Sequence, residues 1–425
     1  MLNLGIWHWF TIILLLFFTT GIITGKASQV LRKIICQFQK EVCPYCFDYF
    51  WLHETPFRCT SPMARCTPMK DTVLEKVWGD TRPVGKVLSS TGRFSSSAIC
   101  IDCGQQSHKR LCPHCHMELP HTTGQFKNYI FSVIGAKNSG KSHYLAVLIN
   151  QIRKRLGPDM NILLEPMNDD TIKRYRKDFY EPIYHDKRVI FGTTSALTNR
   201  KVRQPLVYSL SISGKGILRK NKIKKAVILV FFDTAGEDLN DEDVMSTVNK
   251  YIYRSDGILL LIDPLQLPAV RDKVAPTTPL PQINTETADI LNRTTRLIER
   301  GHSMQPTDVI KIPLAVAFSK FDAVLPLLDP HSQLHASANH DGGFDIDDFE
   351  AVNVEMMTRL DKWNGQDILQ LARTRYKRYG FFGLTALGCN PHDSKKISRL
   401  LPRRIEDPFL WLLAQNNIIR KVRRK

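Results

Sequence analysis

"YIFSVIGAKNSGKSHYLAVLINQI", residues 129–152, decides the fold. Tyr129 to Ile134 is the pattern of a buried strand. Gly135-Ala-Lys-Asn138-Ser139-Gly140-Lys141-Ser142 then satisfies G-x-x-x-x-G-K-[ST]. From Ser142 to Arg155 the apolar positions 145, 148, 149 and 152 predict a helix. Strand, glycine loop and helix stand in the order a phosphate-binding loop requires. Glycines let backbone N–H groups close around phosphates, and the helix N-terminus adds favourable partial charge. Lys141 is placed to reach the β- and γ-phosphates, and the Ser142 hydroxyl to meet Mg²⁺.

Working outward, "PLVYSLSI" (205–212) alternates and suits an edge strand. "AVILVFFDTAGED" (226–238) is an apolar strand ending in Asp233-Thr-Ala-Gly236. A carboxylate at that strand end can support Mg²⁺, and the Gly236 N–H can meet a γ-phosphate. "GILLLIDP" (257–264), "IPLAVAFSKFD" (312–322) and "YGFFGLTALG" (379–388) are further strands, with helical patterns at 241–253, 285–301, 349–374 and 407–420. Alternating strands and helices predict an α/β fold of the P-loop NTPase kind: a doubly wound, mostly parallel sheet. Ser319-Lys320-Phe-Asp322 stands where a guanine-reading loop has Asn-Lys-x-Asp, with its first letter changed.

Nine of ten cysteines lie between Cys36 and Cys115. Cys43-Pro-Tyr-Cys46, Cys100-Ile-Asp-Cys103 and Cys112-Pro-His-Cys115 are knuckles, each aiming two thiolates at one point. With eight residues between them, the last two pairs suit one compact zinc ribbon. Cys43 and Cys46 need two more ligands; Cys59 and Cys66 are nearest, His53 is an alternative, and crossed pairing between knuckles stays open. Disulfides would require an oxidising compartment. Cys36 and Cys389 read as free thiols. Zinc closed by four thiolates is structural.

The order of "GAKNSGKS", "DTAG", "SKFD" and "TAL" resembles that of the translation-factor-like (TRAFAC) P-loop GTPases. With "CPYC…FRC…CxxCG…CPHC…LP" before it and "PRRIEDPFLWLL" after, the chain resembles the bacterial double-GTPase family, found in predicted conflict or GTPase-associated systems. The resemblance spans roughly residues 41 to 420. It implies that Gly135, Ser139, Gly140, Lys141 and Ser142 hold phosphate and Mg²⁺, that Asp233 supports the metal, and that Gly236 contacts the γ-phosphate. It also implies that Lys320 packs on the base, Asp322 accepts from guanine N1 and N2, and Ala386 backs the base. Asn138 matches an Asn that binds potassium in some relatives; it is also a good loop residue. Glu237 stands where many relatives orient water with Gln or His, which implies slow intrinsic hydrolysis. Within "FGTTSALT" (191–198), Thr193 and Thr194 are equal candidates for the switch Thr, and Thr198 trails.

Leu4 to Thr24 holds no Asp, Glu, Lys or Arg and is long enough to span a bilayer, with Trp7 and Trp9 near one end. No positive charge precedes it, whereas Lys26, Arg32, Lys33 and Lys40 follow. This asymmetry predicts a single-pass anchor in the cytoplasmic membrane with the bulk of the chain in the cytoplasm. The formal net charge of +18 points to an anionic partner, but it is scattered in short clusters, so a nucleic-acid partner is not favoured over solvated faces.

The expected organisation is therefore an anchor at 4–24, a zinc module at 41–121 and a P-loop domain at 127–422. The expected function is a membrane-tethered GTPase switch using GTP, Mg²⁺ and Zn²⁺, with Lys141, Thr194 and Glu237 at the reacting phosphate and an unknown protein partner on the zinc module. The alternatives are an ATPase on the same loop, or a nucleotide-binding scaffold that does not hydrolyse.

Overall fold

The computed structural model describes residues 40–62, 65–90, 95–124, 127–190, 205–215, 221–233, 250–274, 280, 287–336, 338–389 and 396–423. The chain divides into two compact units. One comprises residues 1–43 and 48–125; the other comprises 126–425 together with the short turn Pro44–Phe47. Among the described residues no helix is long and apolar enough to cross a membrane. The segment 4–24 lies outside those residues.

The larger unit is built on a seven-stranded sheet. In chain order the strands are β1 (Asn128–Gly135), β2 (Ile162–Pro166), β3 (Leu206–Lys215), β4 (Asn221–Asp233), β5 (Gly257–Ile262), β6 (Leu314–Phe318) and β7 (Tyr379–Gly383). They lie side by side as β2-β3-β4-β1-β5-β6-β7. β4, β1, β5, β6 and β7 are mutually parallel, and at one side β3 runs antiparallel to both of its neighbours, β4 and β2. The mostly parallel sheet expected from the alternating pattern is therefore present. Its central strands are buried on both faces, which is why they read as continuous apolar runs: every residue of β5 and β6 is buried. Because the parallel strands share a direction, the loops after β1, β4, β5, β6 and β7 emerge at one edge, where such sheets bind ligands.

Two expectations need correction. The strand at 205–212 is not at the edge: β3 is covered by β2, an unanticipated strand whose register runs from Ile162 opposite Ile212 to Pro166 opposite Tyr208. Pro166 closes that edge, where a missing N–H is tolerated. The helix expected over 349–374 is two helices, Ile346–Lys362 (α4) and Gln366–Arg375 (α5). Asn364 between them takes a left-handed φ of 58°, which ends α4. A side chain at Gly365 would come within 2.1 Å of Leu360 Cδ1.

The remaining helices used below are α1 (Lys141–Gln151), α2 (Asp169–Arg174), α3 (Thr287–Gly301) and α6 (Asp407–Gln415). α1 continues into a π-helical turn at Ile152–Leu156. Tyr144 to Ile149 are all buried, as is every residue of α6 from Asp407 to Ala414. Phe131, Val133, Leu229, Phe231, Leu259 and Ala315, at odd positions along their strands, join these helices in one core.

Among its described residues the smaller unit has little regular structure. The longest element there is the helix Thr72–Trp78, capped by Asp71 and ended by Gly79 at a φ of 68°. Ladders of two or three residues, such as Phe57–Arg58 against Val87–Leu88 and Lys40–Val42 against Tyr49–Trp51, carry much of the rest. Half of one buried cluster among its described residues is cysteine: Cys59, Cys66 and Cys100 with Phe57, Leu88 and Ala98. A unit with so small a core needs staples.

Candidate nucleotide site and cysteine centres

The phosphate loop runs from the end of β1 to the head of α1. Gly135 is required by space: a Cβ there would lie 2.4 Å from the Leu261 carbonyl oxygen and 2.6 Å from Ser139 Oγ. Asn138 and Gly140 take φ values of 63° and 89°. Asn is among the few residues that tolerate this left-handed region, so the loop geometry itself accounts for Asn138. Lys141 is buried, and its Nζ donates to the carbonyl oxygens of Gly135 at 3.1 Å and Ala136 at 2.9 Å. This pins the ammonium across the loop. Ser142 follows in the first turn of α1.

The "SKFD" loop leaves β6 at the same edge. The Ser319 hydroxyl lies 2.7 Å from the Ser139 carbonyl oxygen and 3.1 Å from that of Ile262. The altered first letter therefore still ties the loop after β6 to the phosphate loop. Lys320 sits at a φ of 50° and pairs with Asp263 at 2.6 Å. Asp263 is 3% exposed and also accepts from the Leu265 N–H at 3.0 Å. With its ammonium held there, the Lys320 stem is a flat apolar surface. Asp322 accepts the Thr385 hydroxyl on Oδ1 at 2.5 Å, and Thr385 in turn accepts the Gly388 N–H at 3.0 Å. A carboxylate oxygen can take two hydrogen bonds, so both oxygens of Asp322 retain capacity for a ligand. Ala386 follows Thr385 on the same loop.

Three residues escaped the sequence reading. Asp263 lay inside "LIDP" and reads there as a strand end. Thr385 was visible in "TAL", but the role of its hydroxyl was not. His143, one residue past Ser142, accepts the Ile190 N–H on Nε2 at 3.0 Å. Burial first, and the Lys320 ammonium second, push its pKa down to about 4, so it stays neutral. Asp233 ends β4 beside the strand that feeds the loop, its Cα opposite Val133. Thr193, Thr194, Thr198, Gly236 and Glu237 lie outside the described residues.

The eight knuckle cysteines form two tetrads: Cys43, Cys46, Cys112 and Cys115, and Cys59, Cys66, Cys100 and Cys103. The pairing is nested, not the adjacent one expected for Cys100 to Cys115. The outer pairs share one centre and the inner pairs the other, and His53 belongs to neither. The Sγ–Sγ distances are 3.8 Å for Cys43–Cys115, 3.7 Å for Cys59–Cys103 and 3.9 Å for Cys66–Cys100. Four thiolates about 2.3 Å from a tetrahedral zinc stand about 3.8 Å apart, whereas a disulfide closes to about 2.0 Å. The donor set fits zinc. Burial pushes the Cys66 thiol up to about 12, so four thiolates in that pocket need a cation.

One carboxylate links the two centres. Asp71 pairs with Arg58 at 2.8 Å, with both side chains at most 5% exposed. His116 Nδ1 donates to the same carboxylate at 2.9 and 3.0 Å. Arg58 directly precedes Cys59, and His116 directly follows Cys115.

No protein-family model matches the chain. The putative ESX-1 scaffolding and assembly protein SaeC of Mycolicibacterium smegmatis is 26% identical over 324 residues, covering 72% of this chain and 79% of that protein. Among solved structures, the signal recognition particle receptor SRb-GTP/SRX complex from Chaetomium thermophilum matches at 13% identity and a TM-score of 0.26, covering 62% of this chain and 94% of that one. The Arl6 BBS3 small GTPase from Trypanosoma brucei matches at 13% and 0.28, over 69% and 100%. The S. cerevisiae Ski7 GTPase-like domain bound to GTP matches at 15% and 0.29, over 69% and 51%. At such TM-scores the superpositions are loose, and the reading of the site rests on its own atoms.

Proposed function

We propose that this chain is a GTP-binding switch that hydrolyses GTP slowly, carries two structural zinc ions, and is tethered by residues 4–24 to the cytoplasmic membrane. The observation that carries the guanine reading is the setting of Asp322. Its carboxylate is oriented by Thr385, while Ser319 fixes the same loop to the phosphate loop. Adenine offers no adjacent pair of donors to a carboxylate so placed, whereas guanine does. Lys141 and the loop N–H groups suit a phosphate chain. Ser142 and Asp233 would hold Mg²⁺, which supplies charge neutralisation at the phosphates when bound. An acidic Glu237 beside the γ-phosphate would disfavour hydrolysis without help from a partner.

A second reading has its own support. SaeC is described as a putative scaffolding and assembly protein. A nucleotide-gated scaffold for a membrane machine, with the cysteine unit as protein adaptor, fits an anchored switch of low turnover better than a role in a conflict system. Phosphate release with GTP and with ATP, using Lys141→Ala as the blank, separates these readings. GTP-selective release above the blank supports the GTPase. Selective GTP binding with release equal to the blank supports the scaffold. Release from ATP at the GTP rate returns the site to an ATPase.

A further inference from the structure

One buried guanidinium braces the segments that lie behind the two loops of the proposed base pocket. Arg404, in "PRRIED", takes a φ of 51°, and its side chain is 1% exposed. Nε donates to the Ala336 carbonyl oxygen at 2.8 Å. Nη1 donates to Asp348 Oδ2 and Asp407 Oδ2, both at 2.8 Å. Nη2 donates to the Gln333 carbonyl oxygen at 3.0 Å and to Asp348 Oδ1 at 2.8 Å. An arginine has five N–H donors, and all five are used. Burying such a charge is costly unless every donor is met, and apolar side chains could fill the space. The geometry therefore calls for a reason beyond packing.

That reason lies in what Arg404 holds. Its neighbour Arg403 pairs with Thr385 through two backbone hydrogen bonds of 3.0 Å, and the Leu401 N–H donates to Leu387 at 2.8 Å. This short ladder backs the loop whose Thr385 hydroxyl orients Asp322. The turn at Gln333–Ala336, whose carbonyls Arg404 collects, belongs to the segment that leaves the "SKFD" loop. Arg403 also donates to the His335 carbonyl oxygen at 2.7 Å. Asp348 and Asp407, in the first turns of α4 and α6, fix the guanidinium to the body of the fold.

We infer that Arg404 is a positioning residue for base selection: it sets the Arg403 backbone against Thr385 and so the direction of the Asp322 carboxylate. The inference rests on the guanine reading above. Arg404→Lys keeps the charge but loses the planar fork. In the full chain, displacement of a fluorescent nucleotide by GTP and by ATP reads base discrimination. Arg404→Lys should weaken GTP about tenfold and leave ATP unchanged, because the phosphate loop is untouched. Thr385→Val should do the same, and the double variant should be no worse than either single, because both act through Asp322. Should Arg404→Lys not fold, Asp348→Asn removes the paired acceptor and carries the same expectation. A lowered melting temperature with a GTP/ATP ratio within about twofold of wild type would reduce Arg404 to a staple and overturn the inference, as would multiplicative losses in the double variant. A wild type without GTP preference refutes the guanine reading and this inference together. Wild-type preference that survives Arg404→Lys refutes the inference alone.

Discussion

Replacing Asp71 by Asn should loosen both cysteine centres at once. The side chains are nearly isosteric, so packing is preserved. Asp71 Oδ1 accepts the Val73 and Leu74 N–H groups at 3.0 and 3.2 Å, and Asn caps a helix about as well as Asp. What changes is the partner of Arg58. Asp71 Oδ2 gives way to an NH₂ group facing the Nη1 donor 2.8 Å away, and the guanidinium is left buried without its counter-charge. Removing one partner of a buried ion pair costs about 3–5 kcal/mol. The preserved cap keeps the loss in that range, and Asp71→Ala adds about 1 kcal/mol for losing the cap. Arg58 adjoins one centre and His116 the other, so chelator should strip metal from both faster. If stripping requires local opening, that cost corresponds to a rate increase of roughly a hundredfold to a few thousandfold. The assay is zinc release from the full chain to a chromogenic chelator, followed over time. Release from Asp71→Asn within about threefold of wild type would refute the reasoning, since it would mean that the pair carries less than about 1 kcal/mol.

Metal analysis of chain purified without chelator should give two zinc ions, and one ion would leave only one tetrad with its proposed role. Ser319→Ala deletes the 2.7 Å tether to the Ser139 carbonyl oxygen, so GTP affinity by titration calorimetry should fall by about fivefold to tenfold; unchanged affinity would show that the tether is idle. Glu355 accepts from Ser332, Arg359 and the Gln333 N–H, which outweigh burial and hold its carboxyl below the usual range. Its contribution is therefore full above the unfolded value and is lost as pH falls through the depressed one. Glu355→Gln should cost about 1–3 kcal/mol in urea unfolding at neutral pH, and the gap to wild type should close in acid; a gap that widens in acid would reverse the sign.

The phosphate loop was legible because its signal is local. One strand, one spacing of glycines and one amphipathic helix fall within residues 129–152. The sheet class followed from apolar runs that only two-sided burial explains. β2 was missed because Ile162–Pro166 is short and ends in proline, so its identity as a strand comes from pairing with β3. The break between α4 and α5 turns on Asn364-Gly365, a helix-stopping pair that was passed over because the apolar periodicity continues on both sides of it. The clustering of the cysteines was legible from the knuckles, but the nested pairing was not, because chain path decides which pairs meet. Asp263, Thr385 and Arg404 were illegible for the same reason: their partners lie 57, 63 and 56 residues away in sequence.

Competition binding at the nucleotide pocket tests the central claim most directly. Displacement of a fluorescent GTP analogue should be measured with GTP, ATP and XTP on wild type and on Asp322→Asn. Wild type should prefer GTP over ATP by about 2–4 kcal/mol, because the wrong base leaves a half-buried carboxylate with only the Thr385 hydroxyl as donor. Asp322→Asn should move the preference toward XTP, whose oxygen replaces the guanine amine. Equal displacement of the analogue by ATP and GTP on wild type, or a base preference unmoved by Asp322→Asn, would contradict the account.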